Sequence, residues 1–466
     1  MSRTIAILGA GYAGALTAVQ LLRQCVARGT RVVLVERTAF FARGLAYRSW
    51  DESQLLNVPA GNMSALAQDS AHFTEYCKRI DPALNAGSFV SRRIYGDYLE
   101  DTLHDARRKA AAALELIRGE AIAVRRDGPT GRFAVEMAGG ERLPADQVVL
   151  ALGHFPPADP LPGMREELGE AYLPDPWDMA ALDRCDRSRP AVLIGSGHTA
   201  VDVLVRLANR GDAGGFVLLS RHGLLPHGHR PTPHAPAFGP SPAYLEGAIE
   251  QGTLRALLRA VRSQAEQRLQ SGGDWRDVIN EMRPHIPRIW ERLPIPERAR
   301  FFRRVAPFWD VHRHRLAPSV HQRLQRMQRT GQIQQVAARL LRCERDAGGA
   351  RLTIRERRSG EVRALAAGTV VNCTGPVFDL RRVQLPLFRQ LHADGLLRPD
   401  ALGLGIDIDE RYQVVDAQGR CVPGLHYIGP MLKATFWEAI AVPELRGHAH
   451  QLARCLLDAD RAARAA

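Results

Sequence analysis

Two glycine clusters have the residue types and spacing needed to handle phosphate. Residues 9–14 read GAGYAG, which puts Gly9, Gly11 and Gly14 in GxGxxG register. In that pattern the first glycine permits a tight turn and the second lets a pyrophosphate approach the backbone. The third lets helix and strand pack closely. Glu36 follows Gly14 by 22 residues, close to the ~20 expected of a carboxylate that bonds ribose hydroxyls, and Arg37 comes next. The second cluster, IGSGHTA, supplies Gly195, Gly197, His198 and Thr199, with Ala200 where a third glycine would stand. The next apolar run, FVLLS, leads into Arg221 rather than an acid. A guanidinium there favours a 2′-phosphate, a carboxylate a free ribose. The pair therefore predicts two different dinucleotides, FAD beside Glu36 and NADPH beside Arg221.

A third group of reactive side chains lies in DVHRHR, which holds His312, Arg313, His314 and Arg315. Guanidinium matches carboxylate in bidentate fashion, so these residues are the expected pocket for a small, anionic substrate. The histidines here and at 227, 229 and 234 have no Cys or carboxylate at ligand spacing, and no metal is expected. Seven cysteines, at 25, 77, 185, 343, 373, 421 and 455, never form CxxC. That predicts free thiols in a reducing compartment and no dithiol pair. No Ser/His/Asp order indicates a covalent nucleophile.

The surrounding elements must position these groups. TIAIL, the glycine turn, an Ala/Leu-rich helix and RVVLVE read as strand, turn, helix, strand, and AVLIGSGHTAVDV repeats the pattern. Two further apolar strands end in small residues, DQVVLALGHFPP with Gly153 and GTVVNCTGPVF with Thr374 and Gly375. Residues 424–449 read as a strand, the Gly429–Pro430 turn and a long helix. The N-terminus of that helix would face the flavin pyrimidine ring and stabilise anionic reduced flavin. Residues 222–330 read as a mainly helical insertion that opens with a His/Pro-rich loop, with Trp275, Trp290, Phe308 and Trp309 in its core.

Composition bounds the rest. A chain of 466 residues, 45% hydrophobic and 24% charged, is globular with two to three domains. No apolar run reaches the ~18 residues of a membrane span, so a soluble, cytoplasmic protein is expected. The net charge is +13, and all but three of the 63 basic residues are Arg. Residues 281–330 hold twelve Arg and four His against four acids. No RNA-binding signature accompanies them, so a basic groove for a small anion is expected rather than nucleic acid. No feature fixes an oligomeric state.

Several segments together carry a family resemblance: GAGYAG, GLAYRSWDESQLLNVPAGNMS, FVSRRIYGDYL, ALGHFPP, PDPW, LSRHGLLP, FWDVHRHRLAP, NCTGP and FWEAIAVPELR. The chain resembles the bacterial YdhS-like FAD/NAD(P)-binding oxidoreductases and, more distantly, the class B flavoprotein monooxygenases, which include the N-hydroxylases. The resemblance implies that the 44–64 loop wraps the flavin, with Asn57, Val58, Pro59 and Met63 near the ring. It departs from the FxGxxxH-type fingerprint of the Baeyer–Villiger and N-hydroxylating flavoenzymes, because ELGEAYLPDPWD has Tyr172 and Trp177 but no histidine, so a ketone oxygenase is not expected. The implied fold is α/β, with two Rossmann-like three-layer domains of the glutathione-reductase type. A discontinuous FAD domain would span 1–185 and 379–466, and an NAD(P)H domain 186–378. The implied activity is FAD-dependent, NADPH-driven monooxygenation through a flavin C4a-hydroperoxide, with molecular oxygen as co-substrate. The alternatives are a flavin reductase or oxidase without oxygen insertion, and a non-catalytic redox sensor or binding protein.

Overall fold

The computed structural model describes residues 3–24, 29–48, 51–128, 131–186, 188–211, 214–231 and 241–465. His234, Cys25 and half of the His/Pro-rich loop, residues 232–240, lie outside them. The chain forms two compact units. One comprises Met1–Trp50, Val58–Phe155 and Phe378–Ala466, the other Asp51–Asn57 and Pro156–Val377.

In the first unit six strands lie in the order Gln413–Val415, Cys421–Tyr427, Gln147–Leu150, Arg3–Leu8, Thr30–Glu36, Ala113–Arg118. All neighbours pair parallel except the first two. The central strands are runs of Ile, Val and Leu because both faces of a parallel sheet are covered. The helix Tyr12–Gln24 is buried from Tyr12 to Leu22, so it is apolar on nearly every side. It packs against the helices Arg92–Lys109 and Val442–Ala465. A small antiparallel sheet, Ala121–Arg126, Phe133–Met137 and Arg142–Ala145, precedes the strand Gln147–Leu150.

The second unit repeats the plan. Its seven strands run Val362–Ala367, Gly349–Glu356, Ile333–Asp346, Phe216–Ser220, Ala191–Ile194, Thr369–Asn372, Tyr172–Leu173. Alternate strand residues enter opposite cores. Leu193 and Leu218 join Leu204, Leu207 and Met327 on one face, while Val192, Val217 and Leu219 meet Leu352 and Ile354 on the other, as a period of two requires. The fold is thus α/β with two Rossmann-like sheets. Residues 243–329 are largely helical. Trp290 is buried there, but Phe308 is 46% exposed rather than in the core. Ala306 and Val311 hold the buried face of its helix, and Phe308 stands on the other side of the turn.

The region after Gly429 also departs from expectation. No long helix starts at the Gly-Pro turn; a short 3-10 turn, Pro430–Ala434, comes first, and the helix begins at Val442. The turn is pinned from beneath, since Met431 N donates to Tyr427 Oη at 2.9 Å. A Cβ on Gly405 would lie 2.0 Å from the Met431 carbonyl oxygen. Pro443 then falls in the first helical turn, where a missing N–H costs nothing.

His426, on the strand Cys421–Tyr427, is 2% exposed, and burial pulls its pKa down to about 4. Its Nδ1 meets the Arg411 carbonyl at 3.2 Å, while its Nε2 is buried without a partner. The folded state therefore holds this imidazole neutral, and the unfolded chain protonates it near 6.5. Stability from this residue is full above about pH 6.5 and falls as pH drops toward 4, by about 2 kcal/mol at pH 5. Urea unfolding of His426→Gln should show a shallower loss between pH 7 and 5 than the wild type.

Candidate functional site

The first glycine turn is built by close approach. Gly9 leaves its strand at φ +101°, and a Cβ there would lie 2.4 Å from the Ala151 carbonyl oxygen. Gly9 N donates to Val35 O at 2.9 Å and Ala151 N to Leu8 O at 2.8 Å, which ties three strand ends together. A Cβ on Gly14 would fall 1.9 Å from Gly9 O, so helix and turn touch directly. Gly11 differs. Its nearest neighbour would be Gly44 Cα at an ordinary 3.5 Å, so protein packing does not require a glycine there. Glu36 sits beside the turn, accepting from Ala10 N at 2.9 Å through Oε2 and from Thr38 N and Oγ1 at 3.0 Å through Oε1. A carboxylate has about four acceptor positions, so capacity remains for a hydroxyl. Arg37 is exposed.

What holds Gly44 against this turn was not legible in the sequence. Ala42 N donates to Ala10 O at 2.7 Å, and Ala42 takes φ +69°. Next to it Arg43, 4% exposed, forks onto Glu100 at 2.7 and 2.8 Å and also pairs with Asp97. Gly96 makes the approach possible, because its Cβ would lie 2.3 Å from the Tyr47 carbonyl oxygen. A glycine inside a helical pattern was the one available signal.

The other residues expected near a flavin are placed as follows. Pro59 is buried ahead of the 3-10 turn Ala60–Asn62, Met63 behind it is 2% exposed, and Val58 is half-buried. Gly153 takes φ +70° with open space at its Cβ position, and a Cβ on Gly429 would stand 3.0 Å from Tyr427 Oη. Pro430 is buried. Asn57 belongs to the second unit, where its carbonyl meets His229 Nε2 at 3.0 Å. Burial lowers the His229 pKa to about 3.

The second glycine turn copies the first. Gly195 takes φ +119°, and its Cβ would lie 2.2 Å from the Cys373 carbonyl oxygen. Gly195 N donates to Leu219 O at 2.8 Å and Cys373 N to Ile194 O at 2.9 Å. A Cβ on Gly197 would meet nothing within 4 Å. Ala200, in the third position, is fully buried, so this helix leaves room for a methyl group. Thr199 is half-buried, Thr374 is exposed, and Gly375 takes φ +94° in open space. Arg221 is exposed just past its strand, and its carbonyl accepts from Arg357 Nη1 at 3.4 Å. Arg357, 136 residues away, thus brings a second guanidinium to the same strand end. His222 lies below the ordinary imidazole value through burial first, then through Arg357 and Arg221.

The DVHRHR residues divide rather than converge. His198, which opens its helix, places Nε2 2.9 Å from the His314 carbonyl oxygen. The His312 ring packs at a tilt on His227 (ring centroids 4.6 Å apart) and edge-on to Trp275 (4.8 Å), and its Nδ1 meets Phe308 O at 2.7 Å. Arg313 is half-buried. Arg315 points inward and is 5% exposed; its Nη2 donates to Asn280 Oδ1 at 2.5 Å and its Cζ lies 6.0 Å from the Trp275 ring centre. Its Nε is buried with no hydrogen-bond partner. Burial, then the nearby Arg313 and Arg276, push its pKa down to about 10. The neighbouring acids are engaged elsewhere, Asp274 with Arg230 and Arg276 and Asp277 with Arg230. The site is a buried, under-compensated cation with an unused N–H, which suits an anion. Among the described residues no group of three His, Cys, Asp or Glu could hold a metal ion.

Two Rossmann-like sheets, each with a glycine turn at the end of its leading strand, define the class of fold. Residues 6–155 match the family described as FAD-NAD(P)-binding. Over its length the structure resembles the ornithine N-hydroxylase of Kutzneria sp. 744, solved with reduced FAD, NADP+ and L-ornithine. The TM-score is 0.63 at 17% identity, covering 99% of this chain and 100% of that one. L-lysine 6-monooxygenase from Pseudomonas syringae gives a TM-score of 0.65 at 16% identity, covering 98% and 100%. The bacillithiol disulfide reductase of Bacillus cereus gives 0.52 at 13%, covering 97% and 98%. At these identities the likeness is one of fold. No curated protein sequence matches the chain. Among the described residues no helix is long and apolar enough to cross a membrane.

Arg43→Ala should remove the charge-assisted fork to Glu100 and cost about 2–3 kcal/mol. Limited proteolysis should then cut within residues 41–48 well before the wild type is touched. Gly96→Ala should give the same pattern through a steric route.

Proposed function

We propose that the protein is an FAD-dependent, NADPH-using monooxygenase that hydroxylates a small anionic or amine-bearing substrate. The observation that carries this reading is the duplicated glycine turn with opposite charges at its two ribose ends. Glu36 stands at one, Arg221 with Arg357 at the other. The full-length likeness in fold to an ornithine N-hydroxylase and an L-lysine 6-monooxygenase supports the oxygenase over other flavin chemistry. Kinship with the narrower YdhS-like group is part of the same proposal.

The residues fit the two cofactors. In the first unit Gly9 and Gly14 set the turn, Gly11 leaves the backbone open to a pyrophosphate, and Glu36 offers acceptors to ribose. The N-terminus of the helix Tyr12–Gln24 directs its dipole at the phosphate. Arg37, Val58, Pro59, Met63, Gly153, Gly429 and Pro430 are the other FAD candidates of this unit, and Asn57 is the candidate from the second. There, Gly195, Gly197, His198, Thr199, Thr374 and Gly375 are assigned to NADPH, with Arg221 reading its 2′-phosphate. Bound flavin supplies hydride acceptance from the nicotinamide and activation of oxygen; the protein supplies orientation and exclusion of water. Arg315 is assigned to the substrate anion, since a buried guanidinium with an unused N–H gains most from a carboxylate. Arg313, His312 and His314 line the same segment.

A second reading, an NADPH-driven flavin reductase or oxidase without oxygen insertion, draws on the likeness in fold to the bacillithiol disulfide reductase. The ratio of NADPH and oxygen consumed to peroxide released separates the two. An oxygenase given its substrate releases little peroxide, whereas an oxidase releases one per NADPH.

Gly11→Ala should fold with an unchanged melting temperature and lose its visible flavin absorbance, because the added methyl occupies space the protein itself leaves free. Arg221→Ala should raise the KM for NADPH about 10- to 150-fold while leaving that for NADH nearly constant. Arg315→Ala should retain flavin and its reduction by NADPH but release more peroxide per NADPH, since small misplacements of substrate cost about 10²-fold in rate. A flavin-poor, low-melting Arg315→Ala protein would assign that residue to folding instead.

A further inference from the structure

A second basic feature lies elsewhere in the helical insertion and takes no part in the proposed redox chemistry. The helices Leu254–Gln270 and Ile295–Arg304 carry eight arginines against two glutamates. They form the sides of a groove of about 530 Å³. Its rims are Arg255, Arg259 and Arg262 from one helix and Arg300 and Arg304 from the other; Leu254, Leu258 and Val305 line it between them, and Ser263 and Glu266 complete its wall. Leu254 is anchored in place, its N–H donating to Glu297 Oε2 at 2.9 Å.

The charge here is in excess: five arginines share the wall with one carboxylate, Glu266. Arg300 pairs with Glu297, but among the described residues Arg255, Arg259, Arg262 and Arg304 make no ion pair. The first three fall at i, i+4 and i+7, on one face, about 6 and 10 Å apart along the axis. Other arginines of the insertion find carboxylates on a neighbouring helix, as Arg268 finds Glu281 and Arg288 finds Glu246.

We propose that this groove docks an acidic amphipathic helix of a partner protein. Such a helix presents carboxylates at i, i+4 and i+7 beside an apolar ridge, which matches the spacing of the arginine rim and the Leu–Leu–Val lining. Nucleic acid fits less well. No aromatic side chain lines the groove to stack a base, and its volume takes side chains rather than a duplex. A lone phosphate would leave the aliphatic lining unused. The proposal stands independently of the flavin reading.

The test uses the intact, flavin-loaded protein as purified and a fluorescein-labelled helical peptide with a leucine ridge and glutamates at i, i+4 and i+7. Anisotropy titration at low salt should show binding at least tenfold tighter than to a peptide of the same composition with its order scrambled. Affinity should fall as salt rises. Arg259→Glu/Arg262→Glu should weaken binding at least tenfold without moving the melting temperature or NADPH oxidation. Arg255→Gln/Arg304→Gln repeats the test with charge removed rather than reversed. Equal affinity for ordered and scrambled peptides, tighter binding of a single-stranded oligonucleotide or of anionic phosphatidylserine vesicles, or no effect of either double substitution would overturn the proposal.

Discussion

The architecture depends on one close approach, made twice. In each unit a glycine that ends the leading strand lies against the carbonyl at the end of a neighbouring strand, Gly9 against Ala151 and Gly195 against Cys373. No Cβ fits at either place, and both glycines take positive φ. Because the glycine N–H and the facing residue's N–H each bond a further strand end, the turn cannot shift without unpairing the sheet. The helix that follows therefore leaves its turn in a fixed direction, and the middle glycine is left with space that the protein does not fill.

The units differ where chemistry would distinguish them. The third glycine position is Gly14 in one, pressed on Gly9, and Ala200 in the other, where a methyl group is accommodated. At the end of the second strand of each unit's leading pair, Glu36 is held by three hydrogen bonds, while Arg221 stays exposed beside Arg357. A fixed carboxylate next to the backbone turn suits neutral hydroxyls. Two guanidinium groups reaching into solvent suit a charged phosphate.

The two most buried arginines among the described residues make a similar contrast. Arg43 is forked onto Glu100 and paired with Asp97, so its charge is compensated and its work is to brace the loop at Gly44. Arg315 is as deeply buried but bonds one amide oxygen and keeps an unpartnered N–H. A cation taken out of water without a matching carboxylate is costly. An anion that accepted from its free N–H would offset that cost, which is the ground on which Arg315 is proposed for the substrate.

The glycine spacing, the apolar strand runs and Ala/Leu-rich helices around it, and the opposed residues Glu36 and Arg221 were legible in the sequence by itself. All of these are local, set by periodicities of two and 3.6 or by steric rules acting within a few residues. The tertiary structure alone decided that residues 51–57 join the second unit, that Arg357 reaches Arg221 and that Glu100 holds Arg43. It also decided that the His312 ring packs against His227 and Trp275, that the His314 carbonyl faces His198 and that Arg315 turns inward, although they are near neighbours in one segment. The start of the last helix at Val442 rather than at Pro430 belongs with these, since Tyr427 and Gly405 clamp the intervening turn. Each such outcome rests on which distant backbone segment lies alongside, and on where a side chain points once the helix carrying it has packed. Neither is encoded in spacing along the chain.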